Sequence, residues 1–469
     1  MPVLNPEFLA ALTDTVGPEG LSLGNAIPER HHADWSGTPP QAPLALLRPA
    51  STAQVSAVLR ACHAHRVPVV PQGGLTGLAG AAVPSAGAVA LSLDRMNAIE
   101  AVHADARTLT VQAGATLQAA QEAAQEAGCL LGVDLGARGS CQIGGTLSTN
   151  AGGNGVVQFG MMREQTLGLE VVLADGTVLD MMRPLVKNNT GYDLKQHFIG
   201  AEGTLGVITR ALLRLHPAPR ARATALAAVA DCDSALRLLR RLQTHCPGGV
   251  AAFELMWQDF LDHALRWTRT PAPLAQSHPL LVLTDLSGND EPALTEALEA
   301  VLGQALEEGL VRDAVIAQSR AQAASLWRLR EVTAEFPTHL APINFDISLP
   351  LDQLGRFADR CVDALSERWP GQRSLRFGHL GDGNLHLSTD ARSLGGLNFD
   401  EAEHAVEAIV YALVAQAGGS ISAEHGIGLH KKPFLHASRN PAELAVMRAI
   451  KQALDPLHLL NPGKVFDPA

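Results

Sequence analysis

Along the chain, apolar positions first pick out short strands and amphipathic helices, then a longer stretch in which strands alternate with helices. Asn5 sits as a candidate N-cap ahead of Pro6 at the first helical position, so a short helix is expected there. From Ser51 and Thr52, the residues Val55, Val58, Leu59 and Cys62 fall on one helical face, and that helix should end before Pro68. The run Val67-Pro68-Val69-Val70 and the segment 88–93 read as strands. Segment 107–113 alternates like a half-buried strand, 115–127 reads as a helix, and 168–174 as a strand turning at Asp175-Gly176. Past Pro217 and Pro219 the pattern changes. Strands near 250–255, 279–286, 343–349 and 374–389 alternate with helices near 233–245, 290–308, 319–336, 351–368, 398–416 and 441–454, the pattern of an α+β domain.

Between the first two strands lies Pro71 to Gly80, with four glycines in ten residues (73, 74, 77 and 80). Such a run permits positive φ and close backbone approach, so successive N–H groups can turn inward around an anion such as a pyrophosphate. Because the loop joins two strands, it is neither a Rossmann fingerprint nor a P-loop. An ordinary surface loop is the competing reading. A second Gly-rich stretch, Asp134-Leu135-Gly136 followed by Gly139 to Gly153, and a third, Phe198 to Thr209, could close on the same large ligand.

Composition narrows the class. With 469 residues, 46% hydrophobic and 18% charged, the chain can build two or three folded domains. A formal charge of −11 argues against nucleic acid as a partner. The six cysteines (62, 129, 141, 232, 246 and 361) show neither a disulfide framework nor metal-finger spacing. No stretch approaches the roughly 20 apolar residues of a membrane span, and the first thirty residues resemble no targeting signal. A cytoplasmic protein is expected.

The chemistry-bearing residues cluster late. Gly378 to His386 reads Gly-His-Leu-Gly-Asp-Gly-Asn-Leu-His, and Ala423 to Gly428 reads Ala-Glu-His-Gly-Ile-Gly. His379 and His386 flank a turn that can bring their rings together, and Glu424 could add a carboxylate. Imidazole and carboxylate suit zinc or a similar divalent ion, with one coordination position left open for a substrate oxygen. The alternative is two half-buried histidines on a hairpin beside a surface Glu-His pair.

Taken together, the three Gly-rich stretches resemble the FAD-binding domain of the vanillyl-alcohol oxidase and p-cresol methylhydroxylase family. Within it, the whole chain resembles the FAD-dependent D-2-hydroxyacid dehydrogenases, the D-2-hydroxyglutarate dehydrogenase branch most of all. The resemblance implies an α+β fold: a two-subdomain FAD-binding domain, then an α+β substrate or cap domain with an antiparallel sheet. The corresponding expected boundaries are a helical segment 1–37, an FAD-binding domain 38–217, a cap domain 218–455 and a tail 456–469 returning toward the flavin.

Carried over residue by residue, the resemblance assigns FAD contacts to Pro71, Gly73, Gly74, Leu75, Thr76, Gly77 and Leu78 in the first loop. The second loop contributes Asp134, Leu135, Gly136, Ser140, Ile143, Gly144, Gly145, Thr149, Asn150 and Gly152. Glu202, Gly203, Gly206 and Ile208 belong to the third, and Asn461 to the tail. It implies a divalent metal, zinc by preference, on His379, His386 and Glu424, with His425 as catalytic base. Arg330 matches a carboxylate-binding arginine, and Thr333 lies one residue off the spacing of a substrate-contacting threonine. Asn344 and Ser388 occupy substrate-facing positions where that branch often has lysine and asparagine.

The first loop contains neither His nor Cys, so FAD should be non-covalent. The implied reaction is oxidation of a D-2-hydroxyacid to the 2-oxo acid, D-2-hydroxyglutarate before D-lactate or glycolate. Electrons would leave through an electron-transfer flavoprotein or a quinone. A non-catalytic flavoprotein subunit is the reading from another class, and homodimerisation stays open.

Overall fold

The computed structural model describes residues 5–467. The chain divides into two compact units. The first takes in the chain up to Gly153, then Gly160–Ala218, and then the chain from Glu424; the second comprises Asn154–Phe159 and Pro219–Ala423. Residues 424–455, read from sequence as part of the cap domain, thus group with the first unit. The reason is local: their backbone and side chains bond to its loops, as described below.

In the first unit, helix Pro6–Val16 begins where Asn5 accepts from Glu7 N, and helix Thr52–His65 begins where Ser51 accepts from Gln54 N. Val55, Val58, Leu59 and Cys62 are buried in one core with Phe8 and Leu12. A four-stranded sheet runs in the order Leu21–Leu23, Ala45–Leu47, Val89–Ser92, Val69–Gln72, parallel across its last three strands. A five-stranded antiparallel sheet runs Ile99–His103, Thr108–Gln112, Val207–Arg214, Thr166–Val172, Val178–Asp180.

The second unit is built on one antiparallel sheet of seven strands: β1 (Ala221–Val229), β2 (Gly249–Trp257), β3 (Leu280–Gly288), β4 (Val311–Ile316), β5 (Pro342–Ser348), β6 (Ser374–His379) and β7 (Asn384–Asp390). Their spatial order is β4-β1-β3-β2-β6-β7-β5. Two of these strands escape the sequence pattern. β1 carries alanine at 221, 223, 225, 227 and 228, a poor strand former that is extended here because it pairs on both sides, and β4 is the edge strand beside it. Segment 374–389 is a hairpin of two strands, and its turn at Leu380–Asp382 is the one that His379 and His386 flank. Helix Gln258–Thr268 is an addition to the sequence reading, and the helix expected over 319–336 breaks after Arg330 into the 3-10 turn Glu331–Glu335.

Candidate active site

Antiparallel register sets the site. Residues directly opposite one another share a face of the sheet. Glu254 on β2 pairs with His379 on β6, His379 with Asn384 on β7, and Phe377 with His386. On the other side of β7, Asp346 of β5 pairs with His386 and Asn344 with Ser388. One face therefore carries Glu254, Phe377, His379, Asn384, His386, Ser388, Asp346 and Asn344.

His379 is buried and His386 half-buried, their ring centroids 5.4 Å apart in an edge-to-face arrangement. The Phe377 ring stacks on His386 at 4.9 Å and lies 4.8 Å from the Arg330 guanidinium carbon. Glu424 follows Ala423, whose N–H donates to Asp346 Oδ2 at 3.2 Å, so β5 itself fixes where the chain emerges at Glu424. One ligand atom each from His379, His386 and Glu424 lie within 4.8 Å of one another, a spacing that suits a single ion. Asn384 adds a buried amide on the same face; neither polar atom of its side chain has a hydrogen-bond partner. Groups of this kind fit a site completed by a ligand.

Sequence reading missed Glu254. It is fully buried, receives the Arg330 Nε–H on Oε2 at 2.8 Å, and has Oε1 2.7 Å from His379 Nδ1. Burial alone would raise its pKa, but His379 and Arg330 outweigh that and hold the carboxyl below its usual range. The signal was a lone charge within the apolar run Ala251 to Trp257, where an acid is buried only with partners. Arg330 is itself buried and forms an ion pair with this acid. Thr333 lies half-buried in the 3-10 turn after it. Asn344 is exposed and Ser388 buried, and Ser388 Oγ donates to Asn344 Oδ1 at 2.8 Å.

The three Gly-rich loops and the tail lie in the first unit. Pro71 lies in the strand Val69–Gln72, and Gly73, Gly74, Leu75, Thr76, Gly77 and Leu78 follow it. Loops one and two touch at Gly74, where a Cβ would come within 2.0 Å of the Ser140 carbonyl oxygen, so only glycine fits. Ile143, Gly144, Gly145 and Thr149 lie on helix Ile143–Thr149, capped by Asn150 in the left-handed region. Ile208 is in the strand Val207–Arg214.

Leu75, Asn150, Glu202 and Asn461, all expected at the cofactor, are four of the nine non-glycine residues with positive φ among the described residues. Such conformations cost about 1–3 kcal/mol each and gather at ligand clamps. The space in front of Gly136 and Gly145 is open, and Gln142 Oε1 and Asn461 Oδ1 are buried acceptors without a hydrogen-bond partner. Open glycine backbone with unspent buried acceptors fits a large polar cofactor such as FAD.

Glu202, in the third Gly-rich loop, also bonds to a later segment of the chain. Its buried carboxylate accepts from Ile427 N at 2.7 Å and Gly428 N at 2.8 Å, while its carbonyl accepts from Asn461 Nδ2 at 2.7 Å. Burial pushes its pKa up against those two backbone donors. Its side chain thus holds the segment just after His425, and a Cβ at Gly426, where φ is +80°, would meet that carboxylate at 2.9 Å.

Comparison with known proteins bears on both units. Residues 43–182 match the FAD binding domain model, and 218–465 match the model of the C-terminal domain of FAD linked oxidases. A D-2-hydroxyglutarate dehydrogenase of Xanthomonas citri pv. viticola is 40% identical over 464 residues, covering 96% of this chain and 97% of that protein. A mitochondrial D-2-hydroxyglutarate dehydrogenase of Rattus norvegicus is 38% identical over 437 residues, covering 93% and 80%. The solved structure of p-cresol methylhydroxylase with substrate bound superposes with a TM-score of 0.76 at 17% identity over 99% of this chain and 98% of that one, a likeness of fold. No helix among the described residues is long and apolar enough to cross a membrane. With an FAD-binding domain and a C-terminal oxidase domain that together span most of its length, and with full-length dehydrogenase relatives, the chain belongs to the FAD-linked oxidase family.

Proposed function

We propose that the protein oxidises D-2-hydroxyglutarate to the 2-oxo acid, with FAD as hydride acceptor. The observation that carries the chemistry is the set of His379, His386 and Glu424 ligand atoms within 4.8 Å. The substrate follows from the relatives of 40% and 38% identity. When bound, FAD would supply the hydride-accepting chemistry for the Cα hydrogen, and a divalent ion such as zinc on those three residues would supply Lewis-acid polarisation of the hydroxyl.

The chain's own residues do the rest. His379, His386 and Glu424 would hold that ion, and His425, next in sequence to Glu424, takes the hydroxyl proton on a ring nitrogen. Arg330 offers N–H groups to a carboxylate, and Asn344 and Ser388 line the same sheet face toward the distal end. FAD is held without a covalent bond: the first loop offers no His or Cys, and burial pushes the Cys141 thiol up to about 11, far from a reactive thiolate. Electrons pass on to an electron-transfer flavoprotein or a quinone.

A second reading, oxidation of a monocarboxylate such as D-lactate, is favoured by one observation. Glu254 already compensates the Arg330 charge, and the Asn344–Ser388 pair is neutral. Anaerobic mixing of the yellow protein with a panel of D- and L-2-hydroxyacids decides between them. D-2-hydroxyglutarate should bleach the flavin fastest and the L-acids should leave it yellow. Fastest bleaching by D-lactate transfers the assignment to the second reading, and bleaching by none removes both.

A further inference from the structure

Glu254 has no place in the reaction just outlined, yet it is a fully buried charge on the sheet face. It sits mid-strand between the buried Phe253 and Leu255, and both carboxylate oxygens are engaged. We propose that Glu254 is a positioning residue that fixes the tautomer and ring orientation of His379 and the aim of the Arg330 guanidinium. The inference rests on the reading of His379 as a metal ligand.

A carboxylate oxygen only accepts, so at 2.7 Å His379 Nδ1 must carry the proton and Nε2 the lone pair. The same assignment follows from the other side, because Arg330 Nη2, which can only donate, lies 3.4 Å from His379 Nε2. Nε2 thus carries the lone pair that a cation would take in place of the Arg330 contact, and the ring is held by a charge that cannot leave the strand. A carboxylate behind a ligating histidine raises the basicity of the ligand and fixes its direction. Through its second oxygen the same carboxylate takes Arg330 Nε–H, and with Nη2 facing His379 this fixes the orientation in which the guanidinium can meet an anion. Glu254 therefore ties a metal ligand and an anion clamp to one point of β2.

The test compares Arg330→Met, which keeps the Glu254–His379 contact, with the double variant Glu254→Leu/Arg330→Met, which removes it without stranding a buried charge. Zinc affinity is measured by chelator competition on FAD-loaded protein, and the visible absorption of the cobalt-substituted form is recorded; flavin content reports folding. The double variant should bind zinc about 10–100-fold more weakly than Arg330→Met and show an altered cobalt band. Equal zinc affinity and identical cobalt bands in the two overturn the role of Glu254. If the double variant does not retain FAD, Glu254→Gln, which keeps the volume, is read against the unaltered protein by the same criteria. An unaltered protein that holds no zinc or cobalt fails the ligand reading itself, a different result from zinc held equally by both variants.

Discussion

Asn344 and Ser388 stand directly opposite each other on β5 and β7, and the Ser388 hydroxyl donates to the Asn344 amide oxygen at 2.8 Å. The two positions at which the sequence departs from the D-2-hydroxyglutarate dehydrogenase pattern are therefore one contact. Asn344 is exposed, so a longer side chain fits there. Asn344→Lys should add a cation on the face that carries the histidines, and a charged hydrogen bond contributes ~1.5–3 kcal/mol. The ratio of kcat/KM for D-2-hydroxyglutarate over D-lactate should rise roughly ten- to a hundredfold. A ratio that stays flat across steady-state assays of both acids removes Asn344 from the substrate site.

Metal removal should separate two functions. Glu424→Gln or His379→Ala should lose the ion and the reduction of flavin by substrate while retaining FAD, because the Gly-rich loops form within the first unit and the histidine pair within the second. Metal analysis and flavin absorbance on one sample check this. Loss of FAD together with the metal contradicts it.

His425→Ala should behave differently. The ion stays, and anaerobic flavin reduction at neutral pH slows by ~10²–10⁴, the usual contribution of a positioned base. Stopped-flow traces on the metal-loaded variant give the number directly, and an unchanged rate moves the base elsewhere.

Glu202→Ala should strand the N–H groups of Ile427 and Gly428, at about 1–3 kcal/mol for each unsatisfied donor. We expect a lower melting temperature and faster proteolysis within 424–428. Glu202→Gln, which keeps one acceptor, should fall between Ala and the unaltered protein. A variant as stable and protease-resistant as the original shows that water replaces the carboxylate.

Lys464 gives a pH dependence with a definite sign. Its ammonium donates to Val83 O at 2.8 Å, and burial lowers its pKa from 10.5 to about 8. The unfolded chain then binds more protons than the folded one between those values, so stability should rise as pH increases through that window. Below it, the buried charge opposes folding. Lys464→Met should flatten this rise in denaturation experiments between about pH 8 and 10. A rise of the same slope in the variant assigns it to other groups, such as Lys451, whose pKa burial lowers as well.

The sequence by itself determined what local rules govern. Asn5 and Ser51 cap the helices they precede, and the face of Val55, Val58, Leu59 and Cys62 is buried. The first Gly-rich loop follows the strand Val69–Gln72, and His379 and His386 flank a turn that brings their rings together. Each of these depends on neighbours a few residues away.

What only the tertiary structure decided depends on partners far along the chain. β1 is a strand because two others pair with it, against the preference of its alanines. Glu254 reaches His379 across 125 residues and Arg330 across 76, so no window of sequence contains the group they form. Glu202 faces donors 225 and 226 residues away, which turns a residue of a cofactor loop into the support of the segment after His425. Buried charge is stable only where its partners converge, and sheet register, a non-local property, chose where that is.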